Sequence, residues 1–291
     1  MEEVNQCLLC EGPIAGRKAM VAPFLAGRIW GKRPFRVSLE TCKKCGFHFY
    51  NPRPDLAEIS RLYSNYRQAP YQKDRQKFEP WYTEKLNSAI DCKKILDLRK
   101  QALSKLLSKQ LNKYEIKNIL DFGGGRGYLI ENLVPGAKGA VYDVSGVKPI
   151  DGIISMPNLE ACAQMDFDLV VCSNVLEHVS SPKNILEDIK SFMRPNKLVF
   201  IEVPYETPFG HRTVFKRIIQ LGILSLLRPK ISFSILRPGL FYWMHEHINY
   251  FNQNALEGLI QSVNMKIIAS GVYDCQQPSG LDQFVWCLAK L

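Results

Sequence analysis

The chain has 291 residues, of which 46% are hydrophobic and 23% are charged, a composition that is ordinary for a globular protein. No apolar run reaches the roughly 18 residues that a membrane span requires, and the start lacks the basic and apolar regions of a secretory signal, so we expect a cytoplasmic protein. The formal net charge of +10 favours an anionic partner, namely a nucleic acid, a phosphate-bearing substrate or an acidic membrane surface.

Two Cys-x-x-Cys pairs precede every other motif of the chain. Their four thiols belong to Cys7, Cys10, Cys42 and Cys45. Two such pairs suit the tetrahedral coordination of Zn²⁺, and Gly12 and Gly46 would allow the tight turns that aim backbone amides at the sulfurs. The alternative is two disulfides or four unrelated buried thiols. Five further cysteines without a pairing pattern indicate a reducing compartment, which favours the zinc site.

The first 115 residues divide into two predicted segments. Residues 1–52 form a zinc-binding ribbon, and residues 53–115 form a helical linker or lid that is rich in tyrosine. Within the second segment, residues 93–117 alternate lysines with leucines, which predicts an amphipathic helix. We interpret its lysine-rich face first as a solvated face and second as a binding surface.

Strand and helix patterns alternate from residue 116 to residue 291. This alternation predicts an α/β fold with a doubly wound, mostly parallel, seven-stranded sheet that ends in an antiparallel hairpin. The predicted strands are 118–122, 139–143, 152–155, 168–172, 197–203, 266–272 and 283–288, and the predicted helices are 128–133, 182–193 and 254–264. An insertion covers about 205–244.

A glycine-rich loop follows the first of these strands, in Asp121-Phe-Gly-Gly-Gly-Arg-Gly127. Its glycines are Gly123, Gly124, Gly125 and Gly127. They permit positive φ and the close approach of a ligand, and the helix predicted beyond them would offer free amides to an anion. Asp121 can receive an ammonium group, and Asp143 at the end of the next strand can accept ribose hydroxyls. A nicotinamide enzyme would use similar parts, but an acid before the first glycine favours a positively charged ligand, S-adenosylmethionine.

The order of four sequence features resembles that of class I S-adenosylmethionine-dependent methyltransferases. These features are the glycine loop, Asp143, the Leu176-Glu177-His178 segment and the strand Leu198–Pro204. The resemblance covers residues 117–291 and implies a Rossmann-like sheet. It adds Val144, Asn174 and Leu176 to the expected cofactor contacts, and it makes Tyr66 and Tyr71 candidates for a lid over the cofactor.

The chain also resembles a narrower group, the bacterial zinc-ribbon methyltransferases that act on sugars in cell-surface glycans and antibiotics. This resemblance rests on the cysteine pairs and on the segment His245-Glu-His-Ile-Asn-Tyr-Phe251. This resemblance implies a sugar, nucleotide-sugar or lipid-linked glycan substrate, with Glu246, His247 and His178 lining its pocket. Members that methylate carbon typically have tyrosine where Met244 stands and carry a further C-terminal domain. These departures argue against C-methylation of a nucleotide sugar, and the sequence leaves the methylated atom open among oxygen, carbon and nitrogen.

Methyl transfer to a hydroxyl needs a group that removes a proton, and histidine titrates near neutral pH. We expect His247 to be the general base, with Glu246 holding its tautomer or binding a substrate hydroxyl. His178 follows the fourth strand, at the edge where such sheets bind ligands, and is expected to position the substrate.

Residues 211–228 are apolar with basic ends, and two interpretations stay open for them. They form a cap helix packed on the core, which we favour slightly, or a helix lying on a membrane surface near a lipid-linked glycan.

Two other functions remain as alternatives. An RNA methyltransferase would bind RNA with its zinc module and basic surface, although the ribbon lacks interleaved aromatic and basic residues. A non-catalytic scaffold would bind the cofactor without turnover.

Overall fold

The computed structural model describes residues 1–90, 92–230, 242–278 and 280–291. These residues fall into two compact units. The ribbon unit comprises residues 1–90, 177–180 and 206–250, and the sheet unit comprises residues 91–176, 181–205 and 251–291. Each is described by itself.

The elements are numbered in chain order. The strands are β1 (Ile14–Val21), β2 (Arg36–Cys42), β3 (His48–Asn51), β4 (Asn118–Phe122), β5 (Lys138–Tyr142), β6 (Ile153–Met156), β7 (Leu169–Ser173), β8 (Leu198–Pro204), β9 (Trp243–Met244), β10 (Asn249–Tyr250), β11 (Lys266–Gln277) and β12 (Gly280–Lys290). The helices are α1 (Pro23–Trp30), α2 (Leu56–Tyr63), α3 (Ala69–Phe78), α4 (Glu84–Ile90), α5 (Lys93–Leu111), α6 (Leu159–Ala163), α7 (Pro182–Phe192), α8 (His211–Leu227) and α9 (Gln253–Ser262).

The sheet unit contains the predicted seven-stranded sheet, with strand order β11-β12-β8-β7-β4-β5-β6. The five strands from β8 to β6 in this order are parallel, and β12 runs antiparallel to both β8 and β11. All five residues of β7 are buried, as expected for a parallel strand inside an α/β fold. The predicted mostly parallel sheet and its final hairpin are confirmed, although Ser279 of the hairpin turn lies outside the described residues.

Helix α5 supplies one face of the core of the sheet unit. Leu103, Leu107 and Leu111, each one helical turn apart, are buried in the same cluster as Leu169 and Phe200. The predicted solvated face is confirmed for four of its lysines. They are Lys93, Lys94, Lys105 and Lys109.

The ribbon unit contains a second sheet, with strand order β10-β3-β2-β1-β9. β1, β2 and β3 form an antiparallel meander, and two short strands extend it at its edges. β9 pairs with β1, and β10 pairs with β3. The segment 245–248 is therefore held at both ends by the N-terminal ribbon, which the sequence did not predict because the pairing joins residues about 200 positions apart.

The helix predicted over 128–133 is wrong. These residues form consecutive turns. Asn132 adopts a left-handed φ of 55°, and the left-handed Gly136 follows Pro135, so the backbone cannot continue as an α-helix. The expected free helix amides behind the glycine loop are consequently absent from this part of the described chain.

Among the described helices, none combines the length and apolarity that crossing a membrane requires.

Candidate active site

The glycine loop after β4 has the backbone conformation expected from its sequence. Gly123, Gly125 and Gly127 have φ values of 78°, 58° and 75°, in the region that favours glycine. A Cβ placed on Gly125 would meet nothing within 4 Å, so the loop leaves open space at this position. The amide of Gly125 donates to Oδ2 of Asp143 at 2.7 Å, which ties the loop to the end of β5.

Asp121, at the end of β4, lies directly beneath this loop. A Cβ on Gly124 would lie 1.9 Å from Cγ of Asp121, so only glycine lets the backbone pass so close to the carboxyl group. Asp121 is 1% exposed, and neither of its oxygens has a hydrogen-bond partner among the described residues. Burial and the nearby Asp143 carboxylate raise the pKa of Asp121 to about 7. A buried carboxylate without partners is stabilised by a cationic group beside it.

The remaining predicted cofactor contacts follow β5 and β7. Asp143 accepts amide bonds from Gly125 and, at 2.8 Å, from Ser145, one on each oxygen, and each oxygen keeps a second lone pair for a hydroxyl. Val144 is 82% exposed beside it. Asn174 has a left-handed φ of 55°, and its Oδ1 is buried without a partner among the described residues. Leu176 is fully buried.

A buried ion pair, which the sequence did not predict, supports this end of the sheet. Arg99 donates to Oε1 of Glu202 at 2.7 Å and to the Ser173 hydroxyl at 3.0 Å, and Tyr273 donates to the other oxygen of Glu202 at 2.5 Å. Arg99 belongs to the basic stretch of α5, but unlike the exposed lysines its side chain is mostly buried. The sequence could have predicted this burial, because Arg99 lies one helical turn before Leu103, on the leucine face of α5 that packs inward.

The sheet unit thus offers an orphaned buried carboxylate, an open glycine loop and a second carboxylate with free lone pairs. These groups fit the ammonium and sulfonium charges and the ribose hydroxyls of S-adenosylmethionine.

The four predicted metal ligands come together in the ribbon unit. The sulfurs of Cys7 and Cys45 are 3.7 Å apart, those of Cys10 and Cys42 are 3.5 Å apart, and all four lie within 4.8 Å of one another. Zn–S bonds of about 2.3 Å at tetrahedral angles place sulfurs about 3.8 Å apart, so the cluster has the dimensions of a zinc site. All nine cysteines are free thiols in the structure.

Backbone amides surround these sulfurs, as predicted. The amides of Lys44 and Cys45 point at the sulfur of Cys42 at 3.4 Å. Gly46 has the expected positive φ of 73°, whereas in the first knuckle the positive φ of 55° falls on Glu11. Gly12 is required for space instead, because a Cβ there would lie 3.2 Å from the Cys10 sulfur.

The His245-Glu246-His247 segment between β9 and β10 is the centre of a polar cluster in the ribbon unit. Glu246 accepts hydrogen bonds from the Tyr71 hydroxyl and, at 2.9 Å, from Arg75. Burial would raise the pKa of Glu246, but the Arg75 guanidinium and its other partners lower it to about 2. Glu246 is therefore an ionised carboxylate that Tyr71 and Arg75 hold in place.

A second carboxylate holds the other side of this segment. Glu79 lies 2.6 Å from Nε2 of His245 and accepts a bond from Nε of Arg75 at 2.6 Å. Arg75 thus bridges Glu79 and Glu246, and the three charges fix the backbone of the segment.

His178 is tied to the same segment through its ring. Its Nδ1 lies 2.9 Å from the backbone carbonyl oxygen of Glu246 and 2.8 Å from the Tyr63 hydroxyl. Because a carbonyl can only accept, Nδ1 carries the proton and Nε2 presents its lone pair. Nε2 is 3.7 Å from Oε1 of Glu177, beyond hydrogen-bonding distance. Burial and the neighbouring His247 lower the pKa of His178 to about 4, so the ring is neutral at pH 7.

His247 has the opposite protonation. Its Nδ1 lies 2.7 Å from Oε2 of Glu206, and its ring centre is 4.8 Å from that of His178. Burial opposes the charged ring, but the Glu206 carboxylate outweighs it and raises the pKa of His247 to about 9. His247 therefore keeps its proton at neutral pH. In the free protein, the lone pair that could accept a proton therefore lies on His178 and not on His247, the residue expected to be the base.

The two tyrosines expected to cover the cofactor belong to the ribbon unit. Tyr71 is fully buried and bonded to Glu246, and Tyr66 packs edge-on between Tyr63 and Tyr71. In this unit both tyrosines therefore belong to the polar cluster around the histidines.

Several residues of this cluster were missed from the sequence. They are Tyr63, Arg75, Glu79 and Glu206. A capping or spacing signal would not have found them, because each reaches the cluster only through tertiary packing of α2, α3 or the 206–210 segment.

The fold and the loop define the class of protein: an α/β cofactor-binding fold with the strand order and carboxylates of an S-adenosylmethionine-dependent methyltransferase. Residues 65–270 match a family described as a methyltransferase domain. The chain belongs to this family, and it is an S-adenosylmethionine-dependent methyltransferase.

Individual relatives are more distant. The chain is 24% identical over 200 residues to a ubiquinone biosynthesis O-methyltransferase of Colwellia psychrerythraea, covering 60% of this chain and 74% of that protein. Among solved structures, it is similar to the 1,6-didemethyltoxoflavin-N1-methyltransferase of Burkholderia thailandensis, with 13% identity, a TM-score of 0.49 and coverage of 87% and 95%. The magnesium protoporphyrin IX methyltransferase of Synechocystis PCC 6803 follows with 14% identity, a TM-score of 0.41 and coverage of 68% and 86%.

Proposed function

We propose that the enzyme methylates a hydroxyl oxygen of a small molecule, with His178 as the general base. One observation carries this proposal: two adjacent histidines, His178 and His247, are held in opposite protonation states by different partners. A neutral imidazole beside an imidazolium can accept a proton from a hydroxyl while the neighbouring charge stabilises the oxygen.

The sheet unit would hold the cofactor. Asp121 would face its positive charge, the glycine loop would lie against it, and Asp143 would accept the ribose hydroxyls. Val144, Asn174 and Leu176 would complete the contacts. When bound, S-adenosylmethionine supplies an electrophilic methyl group.

Four residues prepare His178 as the base. The Glu246 carbonyl holds the proton on Nδ1, so the lone pair of Nε2 receives the proton of the acceptor hydroxyl. Arg75 and Tyr71 fix Glu246 and thereby the tautomer of His178. The carboxylate of Glu177, near Nε2, offsets the positive charge that His178 gains.

His247 would act as the fixed cation of the site. Paired with Glu206, it carries its proton throughout and stabilises negative charge as it develops on the acceptor oxygen.

The low basicity of His178 favours an acidic hydroxyl as the acceptor. Proton transfer from a phenol of pKa about 10 to a base of pKa about 4 is uphill by about 8 kcal/mol before the His247 charge assists it. A sugar hydroxyl is less acidic than a phenol, so its transfer costs more. The Colwellia psychrerythraea relative is an O-methyltransferase, which also supports oxygen as the methylated atom.

The cysteine cluster would hold one structural Zn²⁺ that stabilises the ribbon. With four thiolates it has no open coordination position, so it takes no part in methyl transfer.

The test is methyl transfer from radiolabelled S-adenosylmethionine to three acceptor sets: phenols, sugars with nucleotide sugars, and RNA. We expect labelled phenol ethers from the wild-type protein and a loss of roughly 10²–10⁴-fold in turnover for His178→Asn, whose amide nitrogen can still donate to the Glu246 carbonyl. Labelled sugars would restore the glycan assignment, and labelled RNA the nucleic-acid alternative. Cofactor binding without turnover on any of the three sets, or on a fractionated lysate, would indicate a scaffold.

A further inference from the structure

Helix α8 presents two apolar faces, of which the core of the ribbon unit uses only one. Leu221 and Leu224 are buried with Trp243, and the Arg217 guanidinium lies 4.8 Å from the centre of the Trp243 ring. Gln220 is buried on the same side. These positions recur at the spacing of one helix face, so this face of α8 packs on the core of the ribbon unit.

The opposite side of α8 is an exposed apolar stripe. Phe215, Ile218, Ile219 and Leu226 are 65%, 51%, 49% and 84% exposed. At 100° per residue these four side chains centre about 180° from the buried face, and Gly222 lies among them. The stripe runs about 16 Å along the helix axis. Exposed apolar surface of this continuity marks an interaction site rather than a solvated face.

The charged residues of α8 and of the segment just after it have one sign. Between residues 211 and 230 the sequence contains five Lys or Arg residues and no Asp or Glu. Lys216 is exposed on α8, and Arg228 and Lys230 are exposed just beyond its C-terminal end. A second copy of the chain docked on the same face would bring like charges together, whereas an anionic surface complements them.

We propose that α8 lies on an anionic membrane surface, with its apolar stripe in the interface and its basic residues on the lipid headgroups. With 17 residues, the helix does not have the length and apolarity that crossing the bilayer requires. This inference does not depend on the proposed reaction, because it concerns where the enzyme works rather than what it methylates.

The test is flotation of the full-length protein with vesicles of phosphatidylcholine alone or of phosphatidylcholine mixed with phosphatidylglycerol. We expect at least tenfold stronger binding to the anionic vesicles, weakened by high salt. Phe215→Ser combined with Leu226→Ser should lose at least tenfold in binding. Leu56→Ser is the matched control, because Leu56 is 75% exposed in α2, and its binding should equal that of the wild type.

Three results would overturn the proposal. Equal binding to neutral and anionic vesicles, or no binding to either, would show that the basic residues of α8 do not bind an anionic membrane surface. If the double variant is folded by circular dichroism and binds vesicles as the wild type does, the apolar stripe is not the membrane contact. Self-association that light scattering detects in the wild type and not in the double variant assigns the stripe to a second copy of the chain.

Discussion

The most specific consequence of the cofactor site is a pH-dependent affinity that arises from Asp121. Its carboxyl is buried, has no hydrogen-bond partner in the part of the chain that the structure describes, and has a pKa of about 7, far above its ordinary value. A cationic ligand binds the ionised form and lowers this pKa. The affinity for S-adenosylmethionine should therefore be constant above pH 7.5 and should fall as the pH drops through 7, approaching tenfold per pH unit.

Two variants separate Asp121 from other titrating groups. Asp121→Asn should weaken binding at pH 8 and abolish the pH slope, since no proton is then exchanged at this position. Asp143→Asn should weaken binding but keep the slope, with its midpoint moved to lower pH, because the Asp143 charge is one cause of the raised pKa of Asp121. Asp121→Asn should also raise the melting temperature of the ligand-free protein at pH 8, because an ionised buried carboxylate opposes folding above its unfolded pKa.

Isothermal titration calorimetry between pH 5.5 and 8 measures these affinities directly. A dissociation constant that does not change over this range, or a slope that persists in Asp121→Asn, would refute the assignment of Asp121 as the partner of the positive charge.

Further predictions concern the other ligands. Purified protein should contain about one zinc per chain by elemental analysis, and Cys42→Ser should lower that content; unchanged zinc would contradict the cluster assignment. Gly124→Ala should abolish cofactor binding because its Cβ would lie 1.9 Å from Asp121, whereas Gly222→Ala, with nothing within 4 Å, should bind normally in the same calorimetric titration. Asp143→Ala should weaken cofactor binding by about 1–3 kcal/mol, and an unchanged affinity would remove it from the ribose site.

The elements predicted best from the sequence were those whose pattern is local. β4 and β7 are short apolar runs, the glycine loop has its own backbone requirement, and the cysteine pairs have a spacing that metal coordination imposes. For these, hydrophobic pattern and spacing were sufficient.

The failures have two physical causes. The helix at 128–133 has a helical side-chain pattern that Asn132 and the following Pro135 interrupt, so local chemistry overrode periodicity. The protonation of the two histidines depends on Glu206 and Glu246, which reach them only after β9 and β10 join the N-terminal ribbon. The family resemblance placed His178 and His247 in one pocket but carried no information on which one keeps its proton.

The most direct test of the central claim is the pH dependence of single-turnover methyl transfer to an active acceptor, in the wild type, His178→Asn and His247→Asn. If His178 is the base and His247 the fixed cation, the wild-type rate at saturating S-adenosylmethionine is flat from about pH 5 to 8 and falls above pH 9 as His247 loses its proton. His178→Asn loses roughly 10²–10⁴-fold with unchanged cofactor affinity. A rate that rises with pH through 9, together with near-normal turnover of His178→Asn, would contradict the account and return the role of base to His247.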